Sequence, residues 1–147
     1  MEKLLKRLND AQVHYVVIGG QAMLQHGMPR FTLDWDIFIP PFDQSNFDKI
    51  NDCLADELDM DLEQLDIQTG DGFVQTFQTS AGIIQFHLSP PGLPKFAIVE
   101  ERAITCLYNG IPVKYLNLDD LLSSKKAAAR AKDSDDILFL TIKKQNQ

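Results

Sequence analysis

The sequence has few of the features that mark secreted or membrane-bound proteins. Its 147 residues include two cysteines, Cys53 and Cys106, which are too few for a disulfide framework and lack CxxC spacing. Both lie among apolar residues, which predicts reduced thiols and a cytoplasmic protein. No stretch approaches the roughly 20 apolar residues of a membrane span, and the amino-terminal residues do not resemble a signal peptide. We therefore expect no membrane partner.

Positive charge is also scarce. The chain carries 14 Lys and Arg against 21 Asp and Glu, which gives a net charge of -7. A protein that binds long nucleic acids uses Lys and Arg to displace the counterions of the phosphate backbone. The charge balance therefore disfavours such a partner unless a local basic patch exists. No segment is rich enough in Pro or Gly to divide the chain, so residues 1–147 are predicted to form one domain.

The spacing of apolar residues predicts both helices and strands. Helices are predicted over residues 2–12, 21–26, about 43–58, from Asn117 onward, and from Asp133 or Ser134 onward. Strands are predicted over residues 14–18, 33–39, 73–80, 83–88, 103–108 and 111–115. Asn109-Gly110 favours a type I′ turn between the last two strands. This order predicts a two-layer α+β fold, in which a mixed β-sheet carries helices mainly on one face.

The strand predicted over residues 33–39 carries Asp34 and Asp36 on one face. The opposite face is apolar and is predicted to enter the core: Leu33, Trp35, Ile37 and Ile39. Alternate residues of a strand lie roughly 6.6 Å apart, so both carboxylates can bind one divalent cation or flank two. An Asp-x-Asp pair on its own is more typical of a solvated acidic edge. The apolar opposite face favours a packed sheet with its acids facing a site.

Two glycines, Gly19 and Gly20, follow the first predicted strand and precede a helix. Backbone N–H groups at such a junction attract phosphate, and glycine lets a ligand approach the backbone closely. Taken alone, the pair is better explained by a tight turn without a ligand.

Taken together, Ile18-Gly19-Gly20, a gap of thirteen residues and Asp34-Trp35-Asp36 resemble the signature of the DNA polymerase β-like nucleotidyltransferase superfamily. The residues between them resemble the form found in small bacterial nucleotidyltransferase-like proteins, including toxins of the abortive-infection type: Ala22, His26, Gly27, Arg30 and Thr32. A second set resembles the carboxyl-terminal pattern of this group: Lys126, Arg130, Lys132, Asp133 and Asp136. The likeness extends from the first helix to about Leu140.

The resemblance implies a nucleotidyltransferase that depends on Mg²⁺ or Mn²⁺. It would move a nucleoside monophosphate from a nucleoside triphosphate to a hydroxyl of a tRNA, a protein or a small molecule. Asp34 and Asp36 would bind the metal and act as the catalytic residues. The residues implied to contact the nucleotide are Gly19, Gly20, Arg30, Thr32 and Arg130. Lys132 is a weaker candidate for such contact, and His26 is interpreted as structural.

One expected carboxylate is missing. The family carries a third acid on a neighbouring strand, and the matching position before Ser89-Pro90-Pro91-Gly92 is Gln85. Gln85 can offer an oxygen but no charge, and it cannot act as a base. His87, on the same face, could supply a nitrogen ligand or a base, or be an ordinary polar strand residue. Glu100 could also be recruited.

The missing acid leaves an alternative open. The protein could be a catalytically inactive member that binds a nucleotide or a partner protein, such as an antitoxin. It would then act as a regulator or as a toxin–antitoxin component. Asp133 and Asp136 are predicted to be helix caps and ion-pair partners.

Overall fold

The computed structural model of the protein describes residues 1–29, 31–63, 74–128, 130 and 133–147. These residues form six helices: α1 (Glu2–Asp10), α2 (Gly19–Gln25), α3 (Gln44–Cys53), α4 (Phe96–Arg102), α5 (Leu118–Ala128) and α6 (Ser134–Gln145). They also form six strands: β1 (Val16–Ile18), β2 (Trp35–Phe38), β3 (Val74–Thr79), β4 (Gly82–His87), β5 (Ile104–Tyr108) and β6 (Ile111–Tyr115).

The six strands form one mixed sheet in the order β3-β4-β2-β1-β6-β5. β1 pairs parallel to β6, and β2 pairs parallel to β4, whereas the other three pairings are antiparallel. Both central strands are largely buried because helices and loops cover the sheet. The predicted α+β class with a mixed sheet is confirmed. Among the described residues, no helix is long and apolar enough to cross a membrane.

The helices bury their apolar faces against the sheet and against one another. α1 inserts Leu4, Leu5 and Leu8 into the core and contacts α3 and β6. α2 packs on β1 and β2 and also contacts α5, which in turn packs on α6. The core therefore extends continuously from the amino-terminal helix to the carboxyl-terminal pair.

Turn and cap residues explain several element boundaries. Asn109 and Gly110 both have positive φ, at 47° and 86°, as a type I′ turn requires, so the predicted β5–β6 hairpin is confirmed. The Asn117 side chain accepts a hydrogen bond from the Asp120 amide at 2.7 Å and begins α5 as predicted.

Other boundaries differ from the sequence prediction. The prediction that Leu33 belongs to the core is wrong, since this side chain is 67% exposed. The β2 ladder begins only at Trp35, opposite Ile84, and Leu33 precedes it. α3 ends at Cys53, five residues early, and α4 was not predicted. Phe73 and the acidic residues 64–71 lie outside the described residues.

Candidate active site

A cleft of about 680 Å³ opens where β1 ends and α2 begins. One wall is built from the sheet and the loops that follow it, and the other from α5 and the segment after it. Its polar lining residues are Gly19, Gly20, Thr32, Asp34, Asp36, Gln85, His87, Ser124, Lys125, Arg130 and Asp133.

Strand pairing brings the acidic residues to this cleft. Asp36 lies opposite Ile18 in the antiparallel β1–β2 pair, so its side chain stands beside the residue that follows β1. In the parallel β2–β4 pair, Asp36 lies opposite Gln85. Gln85 is therefore the direct neighbour of Asp36 on the next strand. Asp34 precedes β2 and lines the same cleft.

Gly19 is required where it stands for two independent reasons. Its φ is +64°, in the left-handed region that disfavours side chains. In addition, a Cβ at residue 19 would lie 2.6 Å from Asp36 Oδ2. A Cβ at Gly20 would similarly lie 2.9 Å from Thr32 Oγ1. The two glycines therefore let Asp36 and Thr32 approach the backbone of the β1–α2 junction.

His87 holds the Asp36 carboxylate from the other side. The distance from its Nε2 to Asp36 Oδ1 is 2.8 Å, and both side chains are largely buried. An ionised carboxylate only accepts hydrogen bonds, so the Nε2–H of His87 donates. This nitrogen is consequently engaged and cannot act as a base in this arrangement. His87 positions Asp36, as the hydrogen-bonding neighbours of metal-binding carboxylates commonly do.

The opposite wall contains a buried ion-pair cluster. Lys125 is 7% exposed, and its ammonium lies 3.4 Å from Asp133 Oδ1 and 2.9 Å from Asp136 Oδ2. The Arg130 guanidinium also contacts Asp133, at 2.8 Å, but its side chain is 54% exposed. Burial alone would raise the pKa of Asp133, yet Arg130 and Lys125 together hold this pKa below its ordinary value. Lys125 thus connects α5 to α6, whereas Arg130 keeps an exposed face.

The loop after β4 is fixed against this wall. Gly92 has φ +78°, and a Cβ there would lie 2.6 Å from both Ala127 Cβ and the Ser123 carbonyl oxygen. The adjacent Pro90 and Pro91 line the cleft. Close packing of this loop therefore sets the distance between the sheet and α5.

The cleft brings together most of the residues that the sequence singles out: Gly19, Gly20, Thr32, Asp34, Asp36, Gln85, His87 and Arg130. Their roles stay predictions. Glu100 is not among the lining residues, so its recruitment to this site is not supported. His26 is buried, and its Nε2 contacts the Leu116 carbonyl at 2.8 Å, in keeping with a structural role. Arg30 and Lys132 lie outside the described residues.

The burial of Lys125 and its ion pairs were not predicted from the sequence. Lys125 continues the apolar stripe of Leu118, Leu121 and Leu122 at helical spacing, and a lysine on a buried face is the signal that it needs an acidic partner. Asp133 occupies the N-cap position of α6, as predicted, but its side chain makes no capping hydrogen bond and its oxygens bind Lys125 and Arg130 instead. Asp136 lies within α6, so the prediction that it caps the helix is wrong, whereas the predicted ion pairs of both residues are confirmed.

Asp34 and Asp36 can contribute to a metal site but do not complete one. Their carboxylate oxygens are ligands of the type that Mg²⁺ prefers. The space that Gly19 leaves open keeps Asp36 Oδ2 at the β1–α2 junction, in the same cleft as Asp34. Within the described ranges, no group of three or more His, Cys, Asp or Glu side chains could hold an ion. The residues therefore fit a cation that takes its other oxygens from water and from a phosphate ligand.

No protein-family model matches the sequence, and no curated protein matches it. Solved structures do match the fold. A protein from Thermotoga maritima described as a "putative nucleotidyltransferase" aligns with a TM-score of 0.67 and 12% identity, over 97% of this chain and 90% of its own. An antigenic nucleotidyltransferase-like protein from Paracoccidioides brasiliensis aligns with a TM-score of 0.53 and 17% identity, over 93% of this chain and 71% of its own. JHP933 from Helicobacter pylori aligns with a TM-score of 0.55 and 17% identity, over 95% of this chain and 62% of its own. The chain thus has the nucleotidyltransferase-like fold.

Replacing Gly19 tests its contact with Asp36. Gly19→Ala should lower the free energy of unfolding by about 1–2 kcal/mol for the left-handed φ, and by about 1–3 kcal/mol more for the overpacked Cβ. Gly110→Ala is the matched control, since it has φ +86° but no atom within 4 Å of the added Cβ. Denaturant unfolding of both variants measures the difference. Equal decreases in the free energy of unfolding for the two variants would show that a Cβ at residue 19 makes no unfavourable contact with Asp36.

Lys125 and Arg130 are expected to differ sharply in their contribution to stability. Lys125→Met removes the buried partner of two carboxylates and should cost about 3–5 kcal/mol. Arg130→Gln removes a half-exposed cation and should cost at most about 1 kcal/mol. Thermal and denaturant unfolding at neutral pH gives both values. Comparable losses would contradict the division between a structural lysine and an available arginine.

Proposed function

We propose that this protein is a magnesium-dependent nucleotidyltransferase, which transfers a nucleoside monophosphate from a nucleoside triphosphate to a hydroxyl group. The observation that supports this most strongly is the meeting of the Gly19-Gly20 junction with Asp34 and Asp36 in one cleft. The fold, shared with nucleotidyltransferase-like proteins, agrees with it. Fold alone does not fix an activity, so the proposal depends on the site residues.

In this proposal, each wall of the cleft contacts a different part of the nucleotide. The triphosphate lies against the backbone of Gly19 and Gly20, where no side chain blocks it. Thr32, packed beside Gly20, adds a hydroxyl, and the exposed face of Arg130 adds a positive charge from the opposite wall. Arg30 is proposed as a further contact on the resemblance alone.

Asp34 and Asp36 are proposed to hold Mg²⁺, with Mn²⁺ as a substitute. The ion, when bound, neutralises the negative charge that develops on the transferred phosphate. His87 donates to Asp36 Oδ1 and so restricts the rotation of this carboxylate. The protein thereby keeps its metal ligand in place before the substrate arrives, which reduces the ordering that binding would otherwise require.

Gln85 limits the proposed rate and leaves the acceptor open. A general base typically contributes about 10²- to 10⁴-fold to a reaction, and Gln85 cannot act as one. The hydroxyl proton must then leave through water or a phosphate oxygen, so slow transfer is expected. The net charge of -7 makes a protein or a small molecule a better acceptor than tRNA.

Gln85 also favours a second candidate function. The same cleft could bind a nucleotide without transferring it, and the protein would then act in the cytoplasm as a regulator or as a toxin–antitoxin component with a protein partner. This candidate requires nucleotide binding without turnover. The two functions are therefore distinguished by activity rather than by affinity.

Metal-dependent nucleotide binding is the primary test. Calorimetry with a nucleoside triphosphate should detect binding in the presence of Mg²⁺, and Asp34→Asn/Asp36→Asn should abolish the metal-dependent part. Asp48→Asn/Asp52→Asn removes two exposed carboxylates of α3 outside the cleft and should bind as the natural protein does. Absence of binding in the natural protein would overturn both candidate functions.

Restoring the missing acid separates the two candidates. Gln85→Asp places a carboxylate directly beside Asp36, so release of pyrophosphate from the triphosphate should rise by about 10²- to 10⁴-fold. Gln78→Asp adds the same charge to the exposed side of β3 and should change nothing. If the natural protein and Gln85→Asp both bind nucleotide but release no pyrophosphate, the enzyme proposal fails and the binding function remains.

A further inference from the structure

A second cleft, of about 530 Å³, opens at the opposite end of β1. His14 and Tyr15, which immediately precede β1, line it, whereas Ile18 and Gly19 at the other end line the first cleft. β1 has three residues, so the two clefts lie on the order of 10 Å apart along this strand. They share no lining residue.

Four side-chain hydrogen bonds hold the wall of this second cleft in place. The Asn46 side chain, 1% exposed, accepts from the His14 amide at 2.7 Å and donates to the His14 carbonyl at 3.0 Å. Asn9 donates to the Pro112 carbonyl at 2.7 Å and accepts from the Tyr15 hydroxyl at 2.8 Å. The α1–β1 corner is thus attached to both α3 and β6, and the side chains that it presents are preorganised.

The charge of the cleft is opposite in sign to that of the protein. Its charged lining residues are Lys49, Glu100 and Lys114, and His14 lies beside them. Glu100 Oε2 lies 2.8 Å from His14 Nδ1 and 3.9 Å from the Lys114 ammonium. Among the described residues, no carboxylate lies within 4 Å of the Lys49 ammonium. One carboxylate therefore faces two lysines and a histidine, in a chain with a net charge of -7.

We infer that this second cleft binds a small phosphate dianion, either inorganic phosphate or the phosphate group of a monoester. Lys49 and Lys114 supply the two positive charges that a dianion needs. Glu100 accepts a hydrogen bond from Nδ1–H of His14 and so fixes the ring in the wall of the cleft. Thr105 adds a hydroxyl to the same lining. The site is separate from the proposed nucleotide cleft and does not depend on its function.

Amide NMR of the full-length protein can test this inference, with inorganic phosphate and glycerol phosphate as probes. The titration is run without divalent cations and at constant ionic strength set with sodium chloride. Saturable shifts are expected at His14, Thr105 and Lys114. Lys49→Gln/Lys114→Gln should weaken binding at least about tenfold, because both charges are lost. Lys3→Gln/Lys95→Gln removes two exposed charges outside both clefts and should leave the affinity unchanged.

Three results would overturn the inference. They are the absence of saturable shifts up to about 10 mM phosphate, equal weakening in both double variants, and shifts centred on Gly19 and Thr32 instead of His14. Tighter binding of glycerol phosphate than of phosphate would identify a monoester site, whereas equal binding would identify a phosphate site. Unchanged amide spectra of the variants without ligand establish that their fold is intact.

Discussion

The position of the Asp36 carboxylate depends on the absence of a side chain at residue 19. Strand pairing sets Asp36 opposite Ile18, and Oδ2 then takes the space that a Cβ of residue 19 would need. The same residue has a left-handed φ, which only glycine adopts at little cost. One glycine thus satisfies a backbone turn and a side-chain approach at once. The acid thereby reaches the β1–α2 junction beside the buried central strands.

Within the part of the cleft that the structure describes, few positive charges remain available to a ligand. Lys125 is buried between Asp133 and Asp136. A buried lysine without such partners would destabilise the fold, because its charge would lose hydration without compensation. The positive charge of Lys125 pairs with these two carboxylates and so holds α5 to α6. Arg130 shares Asp133 and keeps an exposed face. Among the described residues of the cleft, Asp34 and Asp36 add two negative charges, which would repel a triphosphate without a divalent cation. The charges of these described residues thus agree with the proposed dependence on Mg²⁺, as their ligand chemistry does.

Features that depend on residues close together in the sequence were predicted correctly. The α1 stripe, the Asn109-Gly110 turn and the Asn117 cap each depend on residues a few positions apart, and the structure confirms them. The meeting of the glycines with Asp34 and Asp36 was predicted from a motif. Contacts set by distant pairing were not: the β2–β4 register that brings His87 to Asp36 joins residues 51 positions apart. The exposure of Leu33 has the same origin, because the ladder starts two residues later than alternation suggests.

The neutral side chain of Gln85 affects the electrostatics of Asp36, because the β2–β4 register places the two residues side by side. Gln85 lies directly opposite Asp36, so a carboxylate there would add a third negative charge to the pair. Such like-charge crowding is unfavourable in the absence of a cation. With a neutral amide at residue 85 and a hydrogen bond from His87, Asp36 is held in place without a metal. The protein itself then attracts a cation less strongly, and more of that attraction must come from the phosphates of the ligand. In the proposed function, metal and nucleotide would accordingly bind together rather than in sequence.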